Sequence, residues 1–115
     1  MLNYHSTLVG ELKKILPTHY EMALHQGLET PCISYMEGNN YDFLTGDTLG
    51  YSSLNYVIKV WGTNVGELQK YALEIDKALK PLGWKRVSST ELHDKNSAMV
   101  QKVMTYEALA LELFN

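Results

Sequence analysis

Residues 54–61, LNYVIKVW, set Leu54, Tyr56, Ile58 and Val60 against Asn55, Val57, Lys59 and Trp61. A period of two marks a strand with one face in the core. Directly afterwards the period changes, and Val65, Leu68, Ala72, Ile75 and Leu79 recur at steps of three and four, the spacing of an amphipathic helix. Asn64 precedes that stripe with Glu67 three residues on, a capping-box pattern. Pro81 and Gly83 end it. A β-branched and aromatic strand joined by a short turn to a capped helix requires a sheet, and it gives that sheet a helix to cover one face.

The flanking segments extend this unit. Over residues 2–16, Tyr4, Leu8, Leu12 and Ile15 form one apolar stripe, which predicts a first helix that Pro17 terminates. Residues 19–25 alternate and read as a strand; residues 26–31 read as its turn and residues 32–36 as a second strand, the two forming a hairpin. Residues 37–53 hold Gly38, Asn39, Asn40, Gly46, Asp47 and Gly50, a density of turn formers that predicts a long loop. That loop carries Tyr41, Phe43, Leu44, Leu49 and Tyr51, apolar surface with which to dock on something. Residues 84–92 and 98–111 read as two strands around the polar turn HDKNS. The tail from Ala108 to Phe114 also fits a helix on propensity.

The predicted order is α-β-β-β-α-β-β, an α+β fold. Its sheet is single, mixed, mostly antiparallel and of about five strands, with two helices on one face. The 115 residues form a single domain spanning 1–115, without repeats, low-complexity tracts or linkers.

The composition, 45% hydrophobic and 20% charged, belongs to a globular domain and excludes a wholly disordered chain. A net charge of −3 argues against a general phosphate-binding surface. The single cysteine, Cys32, has no internal partner, and the first residues lack the order of a signal peptide. Both features lead us to expect synthesis in a reducing cytoplasm. No apolar run approaches the ~20 residues that span a bilayer.

Sites of bond-making chemistry are not evident. His5, His19, His25 and His93 lack metal-ligand spacing and read as solvent-facing imidazoles. Cys32 has no basic neighbour in sequence and reads as a small buried hydrophobe. Asp42 and Asp47 offer too few oxygens for calcium, and TGDTLG lacks the lysine of a phosphate loop. Glu74 with Lys77 and Asp76 with Lys80 are spaced for pairs on the wet side of the second helix. Lys85 and Arg86, with Lys95 and Lys102 on the same predicted hairpin, form a modest basic cluster that reads as an ordinary wet strand face or, functionally, as a polar protein contact or a channel wall. The expectation is therefore a non-enzyme with no cofactor and no metal.

The order of motifs carries a resemblance. TPCISYMEGNNYDF, the strand YVIKVWG, the helix NVGELQKYALEIDKAL, then LGWKRVSSTELHD and the closing strand KVMTYEALALEL together resemble the tail-completion, or tail terminator, proteins of long-tailed bacteriophages. The likeness spans residues 1–113, and its most telling piece is the step at Leu82, Gly83 and Trp84. It implies a virion structural and assembly protein that caps the head-proximal end of the tail tube as a ring, typically of six copies, and joins the tail to the head connector. The implied partners are the chain itself, the tail tube protein and the connector or stopper. DNA would only pass through the lumen, and no membrane is involved. The implied location is the neck of the virion, after synthesis in the host bacterial cytoplasm. Other neck components, a stopper or an adaptor, or a small cellular ligand-binding α+β module, are the alternatives. On the ring reading, Tyr41, Asp42, Phe43, Leu44 and Tyr51 are expected to make loop contacts, and Lys85 and Arg86 polar ones.

Overall fold

The structure, a computed structural model, describes residues 4–21, 29–45, 49–95 and 98–109. Helix α1 runs Tyr4–Lys13, strand β1 Thr18–Tyr20, β2 Cys32–Thr45 and β3 Leu49–Gly62. Helix α2 runs Val65–Leu79, followed by β4 Lys85–His93 and β5 Val100–Leu109. The strands form one five-stranded mixed sheet in the order β1-β2-β3-β5-β4. The α+β class and the element order thus match the expectation.

β3 is the middle strand, and its alternation is obeyed without exception: Leu54, Tyr56, Ile58 and Val60 are each at most 2% exposed. On the same face β5 contributes Val100, Met104, Tyr106 and Ala108, and β2 contributes Ile33. Leu8 and Leu12 of α1 and Leu68, Ala72, Ile75 and Leu79 of α2 close over them in one core. Helix α2 is capped as its sequence predicts, Asn64 Oδ1 accepting from the Glu67 N–H at 3.0 Å. After Leu79 a 3-10 turn over Lys80–Leu82 carries the chain to Gly83, whose φ of 96° only glycine adopts readily.

Two expectations are corrected. The first two strands are not a hairpin: β1 pairs parallel to β2, with Thr18 opposite Ile33 and Tyr20 opposite Tyr35. Pro17, which stops α1, also fixes where the edge strand starts, because its carbonyl accepts from the Ile33 N–H at 2.8 Å. β1 also has three residues rather than seven, and residues 22–28 lie outside the described part.

Residues 37–53 are not a long loop. β2 and β3 continue as a ladder from Asn40 opposite Leu54 to Thr45 opposite Leu49. The turn formers are spent at two places. A register shift between Glu37 and Asn40 takes up Gly38 and Asn39 as an irregularity in the ladder, where a Cβ on Gly38 would sit 3.3 Å from the Asn55 Cβ. Gly46 and Asp47 belong to the connection at 46–48, outside the described residues. A strand of 14 residues at about 3.3 Å per residue extends ~46 Å, which accounts for most of the long axis of a molecule measuring 53 × 26 × 24 Å.

We expect Ile58→Ala to cost about 2–5 kcal/mol by leaving a cavity under α2, and Asn64→Ala about 1 kcal/mol by removing the cap. Leu73→Ala, at a residue 59% exposed, should stay within about 0.5 kcal/mol of the parent. Urea unfolding of the three variants measures all three values.

Candidate interaction surfaces

Two features stand apart from the core. The first is the distal part of the β2–β3 hairpin. β5 pairs with β3 only as far as Ser53, and β1 pairs with β2 only at Ile33–Tyr35. Residues 42–45 and 49–52 therefore pair only with each other among the described residues. They form a two-stranded ribbon, an arrangement marginal in water without further cover. Tyr41, Asp42, Phe43, Leu44 and Tyr51 all lie on or at the base of this ribbon. Register places Tyr41 opposite Ser53 and Phe43 opposite Tyr51 on one side of it, with Asp42 and Leu44 at positions of the other side. Their side chains lie outside the described part of the structure.

The second feature is a cleft of about 550 Å³ where α2 ends and β4 begins, lined by Asp76, Lys80, Trp84, Lys85, Arg86 and Tyr106 together with Gly83. Local sequence builds it. Gly83 N–H donates to the Lys80 carbonyl at 3.1 Å and Trp84 N–H to that of Leu79 at 3.2 Å, so the chain reverses tightly. Trp84 then drops into the core, 3% exposed, its ring edge-on to Tyr56 at 5.3 Å between centroids. Arg86 lands opposite Tyr106 in the β4–β5 ladder, and a bulge follows before Ser88.

Asp76 organises the cleft. One carboxylate oxygen, Oδ2, lies 3.0 Å from Arg86 Nη1, and the other, Oδ1, accepts a hydrogen bond from the Tyr106 hydroxyl. The predicted Asp76–Lys80 pair does not form; the two oxygens bind Arg86 and Tyr106 of the sheet instead. Sequence spacing within a helix cannot report such a long-range partner. Burial, then the hydrogen bond to Asp76 and the charge of Asp76, push the Tyr106 phenol far above its ordinary range, with Arg86 partly offsetting them. The proton stays on Tyr106, and the phenol serves as a fixed donor.

The predicted basic cluster does not hold together. Lys85 and Arg86 lie at the start of β4, whereas Lys95 follows its far end. Lys102 stands opposite Glu91 and Lys85 opposite Glu107 in the ladder. Arg86 is the cation that the fold commits, through Asp76.

A further network crosses the sheet face opposite the helices. The Lys59 ammonium binds the Glu21 carboxylate and lies 5.9 Å from the Trp61 ring centroid, and Trp61 Nε1–H donates to Ser34 Oγ at 2.8 Å. Ser34 is fully buried, and Cys32 beside it is 2% exposed with its thiol pKa raised by burial, as the reading of Cys32 anticipated. Alternation marks the residues of this face, but only pairing register brings Ser34, Lys59 and Trp61 together. His5 is exposed, yet its Nδ1 lies 2.6 Å from the Tyr56 hydroxyl. Among the described residues no group of three His, Cys, Asp or Glu converges as a metal would need. Among them also, no helix is long and apolar enough to cross a membrane.

Tyr106→Phe should cost about 1 kcal/mol near neutrality, the worth of a typical hydrogen bond. The parent should also lose stability as pH rises above about 10, where the unfolded phenol ionises and the folded one keeps its proton. The variant should lack that part of the alkaline decline. Urea unfolding of both proteins near neutrality and in the alkaline range measures the two effects.

No family model matches the sequence, and no curated protein matches it significantly. Among solved structures, a chain described as part of the virion of a native gene transfer agent particle shares the fold at a TM-score of 0.56 and 12% identity, over 94% of this chain and 84% of that one.

Proposed function

We propose that this chain is a virion structural and assembly protein of the tail terminator kind, which acts by surface fit and makes or breaks no covalent bond. The observation that carries the reading is the near full-length likeness of its fold to a chain from a gene transfer agent virion. The β2–β3 ribbon supports it independently. An assembly protein needs surface that becomes buried only on its neighbours, and a ribbon with no flanking strand among the described residues, whose sequence carries Tyr41, Phe43, Leu44 and Tyr51, supplies it.

On this reading the copies form a ring at the head-proximal end of the tail tube, stop its growth and meet the head connector. Ring contacts are heterologous, one patch meeting a different one. β4 adds to the available surface: it is an edge strand, and all of its residues are exposed except the half-buried Glu91. A polar or acidic lumen would let DNA pass without holding it, in keeping with a net charge of −3.

Particles made without this chain should carry abnormally long or unattached tails in electron micrographs. Complete, joined particles would overturn the proposal, and tails of normal length that fail to join would favour a stopper or adaptor. Six copies of a 13.1 kDa chain give a ring of about 79 kDa, which light scattering at high concentration should detect. Removing residues 41–49 should leave the helix-covered core folded by circular dichroism and abolish tail joining.

A further inference from the structure

We propose that β1 is an edge strap that opens without the rest of the fold and is held shut by the Glu21–Lys59 ion pair. The inference stands apart from the assembly reading, since it rests on one edge of the sheet alone.

β1 has little hold of its own. It is three residues long, pairs with β2 only at Ile33, Ser34 and Tyr35, and buries no side chain: Thr18 and His19 are half-buried and Tyr20 is exposed. An edge strand so short and so poorly covered belongs to the low end of local stability. Its surroundings do not depend on it. Leu8, Leu12 and Leu16 hold α1 and the turn after it in the core, so the chain up to Leu16 keeps its place when β1 leaves. Tyr35 meets the Tyr20 ring edge-on at 5.6 Å, but it also meets His5 at 5.6 Å and retains that second neighbour.

The ion pair supplies what β1 lacks. Register aligns Lys59 on β3, Ser34 on β2 and His19 on β1 in one row across the sheet face opposite the helices. Lys59 spans that row to reach the carboxylate of Glu21, the residue after β1. The two side chains are 23% and 18% exposed, so water screens the pair less than it screens a surface one. At its other end Lys59 lies over the Trp61 ring, and Trp61 is itself tied to Ser34. The central strand thus anchors the pair, and the pair holds the edge strand. Opening breaks the 2.8 Å bond from the Ile33 N–H to the Pro17 carbonyl and bares β2 at Ile33–Tyr35. That stretch joins the part of β2 beyond Tyr35, which has no partner on that side among the described residues. A row of unpaired backbone donors and acceptors is a template for an added strand, so the Glu21–Lys59 pair governs how much of it is offered.

Amide hydrogen exchange in urea below the unfolding transition tests the strap, with the Ile33 N–H reporting β1 and the β3 amides that pair with β5 reporting the whole fold. In the parent, exchange at Ile33 should rise with urea less than about half as steeply as at the β3 amides, because a local opening exposes little surface. Asn64→Ala, which loosens α2, should speed the β3 amides about fivefold and leave Ile33 within about twofold of the parent. Glu21→Gln, which leaves the ammonium without its carboxylate, should speed Ile33 about tenfold or more. Separate opening is overturned if Ile33 follows urea about half as steeply or more, or if Asn64→Ala speeds it as much as it speeds the β3 amides. The role of the ion pair is overturned if Glu21→Gln leaves Ile33 within about threefold of the parent. The urea slopes need no variant, so they decide the first point even if Glu21→Gln fails to fold.

Discussion

The burial of one face of β3 is the interaction on which the rest of the structure depends. Leu54, Tyr56, Ile58 and Val60 meet α2 from below and are flanked by Ile33 on β2 and by Met104 and Tyr106 on β5. A slip of one residue would exchange these four for Asn55, Val57, Lys59 and Trp61 and place an ammonium under the helix. Register is therefore specified from β2 through β5 by one strand. The same strand runs on past its last β5 partner into the ribbon, so the element that anchors the core also aims the projecting surface.

What the sequence made legible follows from how local each signal is. The α2 stripe, the Asn64 cap and the stop at Gly83 are set by residues within one or two turns of each other, and all three are present as read. The alternation of β3 was equally plain. The first hairpin failed because parallel pairing is decided by where the chain returns, here Ile33 beside Pro17, and no pattern within residues 18–36 encodes that. The ribbon failed for a different reason. Gly38, Asn39, Gly46 and Asp47 are turn formers by propensity, but Gly38 and Asn39 fall at an irregularity within the ladder, Gly46 and Asp47 lie outside the described residues, and the alternation of Tyr41, Phe43 and Thr45 between them is a strand signal they mask.

The site residues divide along the same line. Lys85 and Arg86 were legible as cations near a hairpin start, but the partner that gives Arg86 its role sits on α2. Asp76 lies at a helix position that a sequence reading assigns to solvent, and it is drawn into the sheet by Tyr106, whose hydroxyl ends beside the helix flank. A buried phenol needs a hydrogen-bond partner, so the fold supplies a carboxylate, and the carboxylate in turn needs a cation. Arg86 is thus the last link of a chain that begins with Tyr106 in the core.

That chain ties the cleft to the core although it lies at the edge. Exposed ion pairs contribute little and hold their side chains loosely, but Asp76 is also tied to a tyrosine that is 1% exposed, and its position is inherited from the core. The distal rungs of the β2–β3 ribbon, by contrast, pair only with each other among the described residues. On the proposed assembly reading, a surface completed only beside a neighbour would make contact conditional on that neighbour being present.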